Sequence, residues 1–127
     1  MKPYSDKPTL AHIYLEDSWV LGIETNKTDV VFECEFVLLE SHENYRPALK
    51  GEQYCYRRGK LRFDNCKMIK WHSIKDSRST DLDGSIDMGN IYAFKFDDDF
   101  NKLEGDWGEV DITSNNISIV FKRDDAI

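Results

Sequence analysis

Phe32-Glu33-Cys34-Glu35-Phe36-Val37-Leu38 is the stretch that decides the fold class. Apolar residues at 32, 34, 36 and 38 alternate with Glu33 and Glu35, and a period of two puts the sets on opposite faces of an extended chain. One face is then buried and the other wet, which is how a strand of an antiparallel sheet reads. The same alternation recurs outward along the chain. Trp19, Leu21 and Ile23 are expected to share a face, as are Tyr92, Phe94 and Phe96, and Ile117, Ile119 and Phe121. Weaker versions pass through Tyr54 and Tyr56, Leu61 and Phe63, and Ile69 and Trp71. The runs are short, β-branched and aromatic, as strands prefer.

The punctuation agrees with strands. Glu16-Asp17-Ser18 and 25–29 are polar turn segments, while Arg58-Gly59, Asp64-Asn65, Asp97-Asp98-Asp99 and Ser114-Asn115-Asn116 have the composition of tight connections. Short connections force antiparallel pairing, because a parallel crossover needs a dozen residues or more. The expectation is an all-β chain of eight to ten strands, an antiparallel sandwich or a partly open meander barrel. Near the C-terminus, Trp107 and Val110 are an odd number of positions apart. Either a β-bulge at Gly108 restores the alternation, which we favour, or a tight turn falls at 105–106 or 107–108. Helical periodicity is thin and confined to 43–52 and 74–82. The long loops 40–53 and 72–89 are the expected places for function.

A length of 127 residues suits one domain spanning 1–127, and 40% hydrophobic with 32% charged residues is ordinary globular usage. The formal net charge is −7. It is concentrated: residues 1–63 carry nine Lys or Arg against ten Asp or Glu, whereas 64–127 carry eight against fourteen. Such a balance opposes sequence-general binding of nucleic acid and favours a cationic partner. No apolar run approaches the length of a membrane span or an export signal. Three cysteines, Cys34, Cys55 and Cys66, are an odd number without metal-binding spacing, so the cytoplasm is the expected compartment.

Motifs for chemistry are sparse. In 79–90, Asp81, Asp83 and Asp87 supply hard oxygen ligands around Gly84, as in a calcium loop, but Ser79 and Asn90 stand where the outer carboxylates belong. Calcium is therefore the one cofactor considered, against a plain polar loop as the alternative. Cys55 with His42 or His72 is the available nucleophile pair, and the carboxylates around Trp107 are the available acid–base material for a hydrolase. None carries a specific motif, so no catalytic residue is assigned. The basic run Arg57-Arg58-Gly59-Lys60-Leu61-Arg62, with Tyr54, Tyr56 and Phe63 interleaved, is read as a solvated hairpin edge whose charges block aggregation.

The segments 19–22, 51–59, 89–91 and 105–110 resemble those of short bacterial proteins of unassigned function. That resemblance implies a bacterial source and a compact β domain, and it lends no activity. The leading expectation is a non-enzymatic protein-binding module, with an immunity-type inhibitor that neutralises a basic toxin as its specific form. Asp97, Asp98, Asp99, Asp106, Glu109 and Asp111 form its expected acidic surface. A small-ligand or calcium-assisted domain and a hydrolase are the alternatives.

Overall fold

In a computed structural model, the described residues are 1–51, 54–76, 79–80 (main chain only) and 86–122. They form β1 (Lys2–Pro3), β2 (Ile13–Thr25), β3 (Val30–Leu38), β4 (Cys55–Asp64), β5 (Met68–Ile74), β6 (Ser79–Thr80), β7 (Ile86–Asp87), β8 (Ile91–Asp97), β9 (Phe100–Gly105), β10 (Gly108–Thr113) and β11 (Asn116–Phe121). Two single 3-10 turns, Tyr4–Asp6 and Pro8–Leu10, are the only helical elements among them. Every strand pair is antiparallel. One sheet has the order β1-β8-β9-β10-β5, a second the order β11-β4-β3-β2, and β6-β7 is a small ribbon. The two larger sheets are stacked rather than closed on themselves, so the fold is a sandwich and not a barrel.

The β3 alternation holds residue for residue. Phe32, Cys34, Phe36 and Leu38 are buried in the common core while Glu33 faces solvent and Glu35 is half-covered. The sheets meet through Phe32, whose ring lies 5.0 Å from that of Trp107, and through Phe63, 6.0 Å from Phe94. Besides the passage from β1 to β2, the chain changes between the two larger sheets at two tight connections, β4 to β5 and β10 to β11. Both are tied by Ser114, whose hydroxyl donates to the Asp64 carbonyl at 2.7 Å and accepts the Asn116 N–H at 3.0 Å. Asn65, at φ 50, makes the first of these corners. The 97–99 segment is a true hairpin turn, with Asp98 at φ 49 and Asp97 paired to Phe100.

Four local expectations are corrected. Arg58-Gly59 is no turn: it lies within β4, where Gly59 faces the core and a Cβ would sit 2.7 Å from the Val120 carbonyl. The glycine serves a close approach of two strands, a need indistinguishable from a turn in sequence. Trp19 is not inward. β2 shifts register between Val20 and Gly22, so Val20 is buried opposite Cys34 and Trp19 lies outside. Tyr92 is likewise expelled by a shift between Ile91 and Ala93, leaving Ile91, Phe94 and Phe96 as the inward set. Finally, Gly105 pairs with Gly108 across a two-residue turn at Asp106-Trp107, so the turn and not a Gly108 bulge brings Trp107, Val110 and Ile112 into the core. The irregularity nearby belongs to β5, where His72 has no opposite residue between Ser73 and Trp71.

Candidate functional site

The outer face of the β11-β4-β3-β2 sheet carries the most distinctive side chains. Its composition follows from β4, whose inward residues Cys55, Gly59, Leu61 and Phe63 leave Tyr56, Arg58, Lys60 and Arg62 on the opposite side. Register then assembles rows across the sheet. Tyr14, Val37 and Tyr56 form one, and Trp19, Glu35 and Arg58 the next. Gly22, Glu33, Lys60 and Val120 follow, then Glu24, Val31, Arg62 and Ser118. Because β4 lies between β3 and β11, its cations stand within a sheet face; the expected hairpin edge is corrected by this topology.

One end of this face is aromatic. Trp19 and Tyr14 are each 39% exposed, and Tyr54 meets Tyr56 edge-on with ring centroids 6.0 Å apart. Val37 points outward between Tyr14 and Tyr56 yet is only 2% exposed, so a small apolar layer exists outside the core. Asp17, hydrogen-bonded to the Tyr54 hydroxyl, pushes that phenol above its ordinary range and keeps it protonated. The Ser18 hydroxyl accepts the Val37 N–H at 2.9 Å, pinning the irregular stretch of β2 against β3.

The other end is cationic. Arg58 Nε lies 3.5 Å from Glu35 Oε2, and Arg62 grips Asp64 through Nε at 3.4 Å and Nη2 at 3.1 Å. That carboxylate raises the Arg62 pKa further, so the guanidinium charge is permanent. Lys60 and Lys122 make no side-chain ion pair among the described residues. A groove of about 460 Å³ runs between them, bounded by Glu33, Arg58, Lys60, Arg62, Val120 and Lys122. A shallower depression of about 230 Å³ adjoins it, sharing Glu33 and Lys60 and continuing over Gly22 and Glu24. Chemically, the face offers donors and positive charge beside flat apolar surface. It can hold an anionic chain.

The carboxylates singled out from sequence are dispersed over the other sheet. Asp97, Asp98 and Asp99 sit at the β8–β9 turn, whereas Asp106 sits at the β9–β10 turn, the far end of β9. A six-residue strand separates those ends by about 20 Å. Asp99 is held by Lys67 at 3.2 Å, and Asp106 accepts the Asn90 N–H at 3.1 Å. Glu109 and Asp111 are neighbours on the outer face of β10, but Glu109 faces Lys102 at 3.5 Å and Asp111 lies 2.6 Å from His72 Nε2. Asp97 and Asp98 have no side-chain partner among the described residues.

Of the calcium-loop residues, Asp81 and Asp83 lie outside the described residues. Asp87 spends one carboxylate oxygen on the Gly89 N–H at 2.9 Å. Among the described residues no three His, Cys, Asp or Glu side chains group as metal ligands, and no helix is long and apolar enough to cross a membrane. Cys55 is buried and its sulfur accepts the Arg46 N–H, while His42 packs edge-on against Phe121. No hydrogen bond joins Cys55 to His42 or His72 among the described residues. Burial pushes the Cys34 thiol far up, away from thiolate chemistry.

No protein-family model, no curated protein and no solved structure matches this chain.

Proposed function

We propose that the chain is a protein-binding module that works through the outer face of its four-stranded sheet, with an acidic protein surface as partner. The observation that carries this is the alignment of Arg58, Lys60 and Arg62 on an interior strand, beside half-exposed Trp19 and Tyr14. Trp, Tyr and Arg are the residue types that dominate binding energy at protein interfaces. Lys60 and Lys122, without an ion pair among the described residues, supply attraction and orientation. The net charge of −7 does not oppose such docking at close range, since charges more than about 8 Å away are largely screened at physiological salt.

A second reading keeps the acidic surface and a basic, toxin-like partner. It is favoured by Asp97 and Asp98 at the β8–β9 turn, exposed and without a side-chain partner among the described residues. The two are separated by placing a photo-crosslinking residue at Tyr56 in one variant and at Asp98 in another, in the native cell. We expect adducts from position 56 to a protein rich in carboxylates, lost when Lys60→Glu is added. Adducts only from position 98, to a basic protein, overturn the first reading and establish the second.

A further inference from the structure

Sheet edges are where main-chain donors and acceptors lack partners, and natural proteins guard them with charge, proline, bulges or cover. Three of the four edges of the two larger sheets carry such a guard. β1 is two residues long and ends in Pro3. β5 is broken by its unmatched His72 and bears Lys70. β2 is irregular, and its Val20 is closed off by main-chain bonds from Met88 and to Gly89, each 2.7 Å. β11 has none of these. Asn116-Ile117-Ser118-Ile119-Val120-Phe121 is uncharged, free of proline and in unbroken register with β4 over all six residues.

Which groups of β11 are open follows from one bond. The Lys122 N–H donates to the Arg58 carbonyl at 2.8 Å, so 122 faces 58 in a hydrogen-bonded pair. Antiparallel pairs alternate, which makes 116, 118 and 120 the bonded residues and turns the N–H and C=O of Ile117, Ile119 and Phe121 away from β4. The Pro8–Leu10 turn lies beside β11 and the His42 ring caps Phe121, but among the described residues neither gives β11 a main-chain bond.

We infer that β11 receives an extended acidic segment of the partner as a fifth strand of this sheet, a deepening that rests on the function proposed above. A strand added to β11 lies about 4.8 Å beyond it. Its outer-face side chains then stand next to Ser118 and the 55% exposed Val120, within the span of Lys60 and Lys122 at the groove. Carboxylates at every second position meet those cations. The alternate positions fall beside the half-buried Ile117, Ile119 and Phe121 and favour apolar residues. A second copy of this chain is the poorer occupant, because its own β11 carries no carboxylate and would bring a second pair of lysines towards the first.

The test uses the full chain, isotope-labelled, with a capped alternating Glu-Val octapeptide as probe. Peptide should shift the Lys60 and Trp19 signals and slow exchange of the Ile117, Ile119 and Phe121 amides by roughly tenfold or more. Ile119→Pro removes only an outward N–H and should weaken binding about tenfold. Val120→Glu, at an exposed position, should weaken it through repulsion even if the proline variant does not fold. Shifts on the face without protection of these amides overturn strand addition and leave the binding face standing. Concentration-dependent protection without peptide, with dimers in sedimentation, overturns the inference in favour of a second copy. No shift anywhere overturns both.

Discussion

Gly105→Ala tests the packing that joins the two sheets. Gly105 ends β9, paired to Ile91 on one side and Gly108 on the other. A Cβ there would overlap the Trp107 Nε1 and the Asn90 carbonyl, and lie 2.5 Å from Trp107 Cε2. Ordinary contact begins near 3.4 Å, so the indole must retreat by more than 1 Å. It has nowhere to go: Trp107 is 1% exposed, held between Phe32 at 5.0 Å and Trp71 at 6.0 Å. Overpacking of this kind costs about 1–3 kcal/mol, and the carbonyl cannot rotate aside, which places Gly105→Ala near the top of that range. Reduced freedom of the unfolded chain returns about 0.4–1 kcal/mol. The net is a loss of about 2 kcal/mol, or about 8 °C in Tm for a chain of this size. Gly22→Ala is the internal control, since nothing lies within 4 Å of its Cβ position. It should match or slightly exceed the parent. Urea unfolding followed by tryptophan fluorescence measures both. If the two variants fall within about 0.5 kcal/mol of each other, the Gly105–Trp107 contact does not constrain the core.

Ser114→Ala strips the Asp64 carbonyl and the Asn116 N–H of their buried partner. It should cost about 1–3 kcal/mol by the same urea assay, and a change below that range would mean the corners hold without it. Asp29 accepts the Asn65 N–H at 3.1 Å, chiefly through which its carboxyl is held below the usual range. A depressed carboxyl contributes stability above its unfolded pKa of about 3.9 and loses it as pH falls through the folded value. Asp29→Asn should therefore flatten the acid branch of the stability curve below about pH 4, and an unchanged branch would refute the assignment. For the thiols, Cys34 is buried and strongly raised, whereas Cys66 is half-exposed. Iodoacetamide on the native protein should mark Cys66 well before Cys34, as read by peptide mass; the reverse order would contradict the core placement.

Strand identity was legible in the sequence wherever register is regular. β3 shows this best, because its pairing with β4 runs without interruption from Val30 to Leu38, and Phe32, Cys34, Phe36 and Leu38 all fall inward as alternation puts them. β2 and β8 show the limit. One displaced residue inverts all faces beyond it, and displacement depends on the neighbouring strand. Trp19 and Tyr92 carry no local mark of this, so alternation counted from them places both inward when both lie outside. Gly59 illustrates a different limit. Its lack of a side chain suits a turn and a tight interior approach equally, and only the proximity of β11 distinguishes them.

The candidate site depends on that same topology. Arg58, Lys60 and Arg62 are spaced by two, so their sharing of a face follows from sequence once β4 is a strand. Whether that face is a binding surface or a solvated rim depends on what flanks β4. The flanks are fixed by the corners at Asn65 and Ser114, which send the chain into the other sheet for β5, β8, β9 and β10 and return it as β11. The stretch between those corners, turns included, carries most of the carboxylates counted in the C-terminal half. An antiparallel hairpin sends its two turns to opposite ends, and the pleat seats Glu109 and Asp111 against Lys102 and His72. The described carboxylates of that half therefore do not gather on one surface. The cations of β4 do gather, because a single strand aligns them and two neighbours hold it flat.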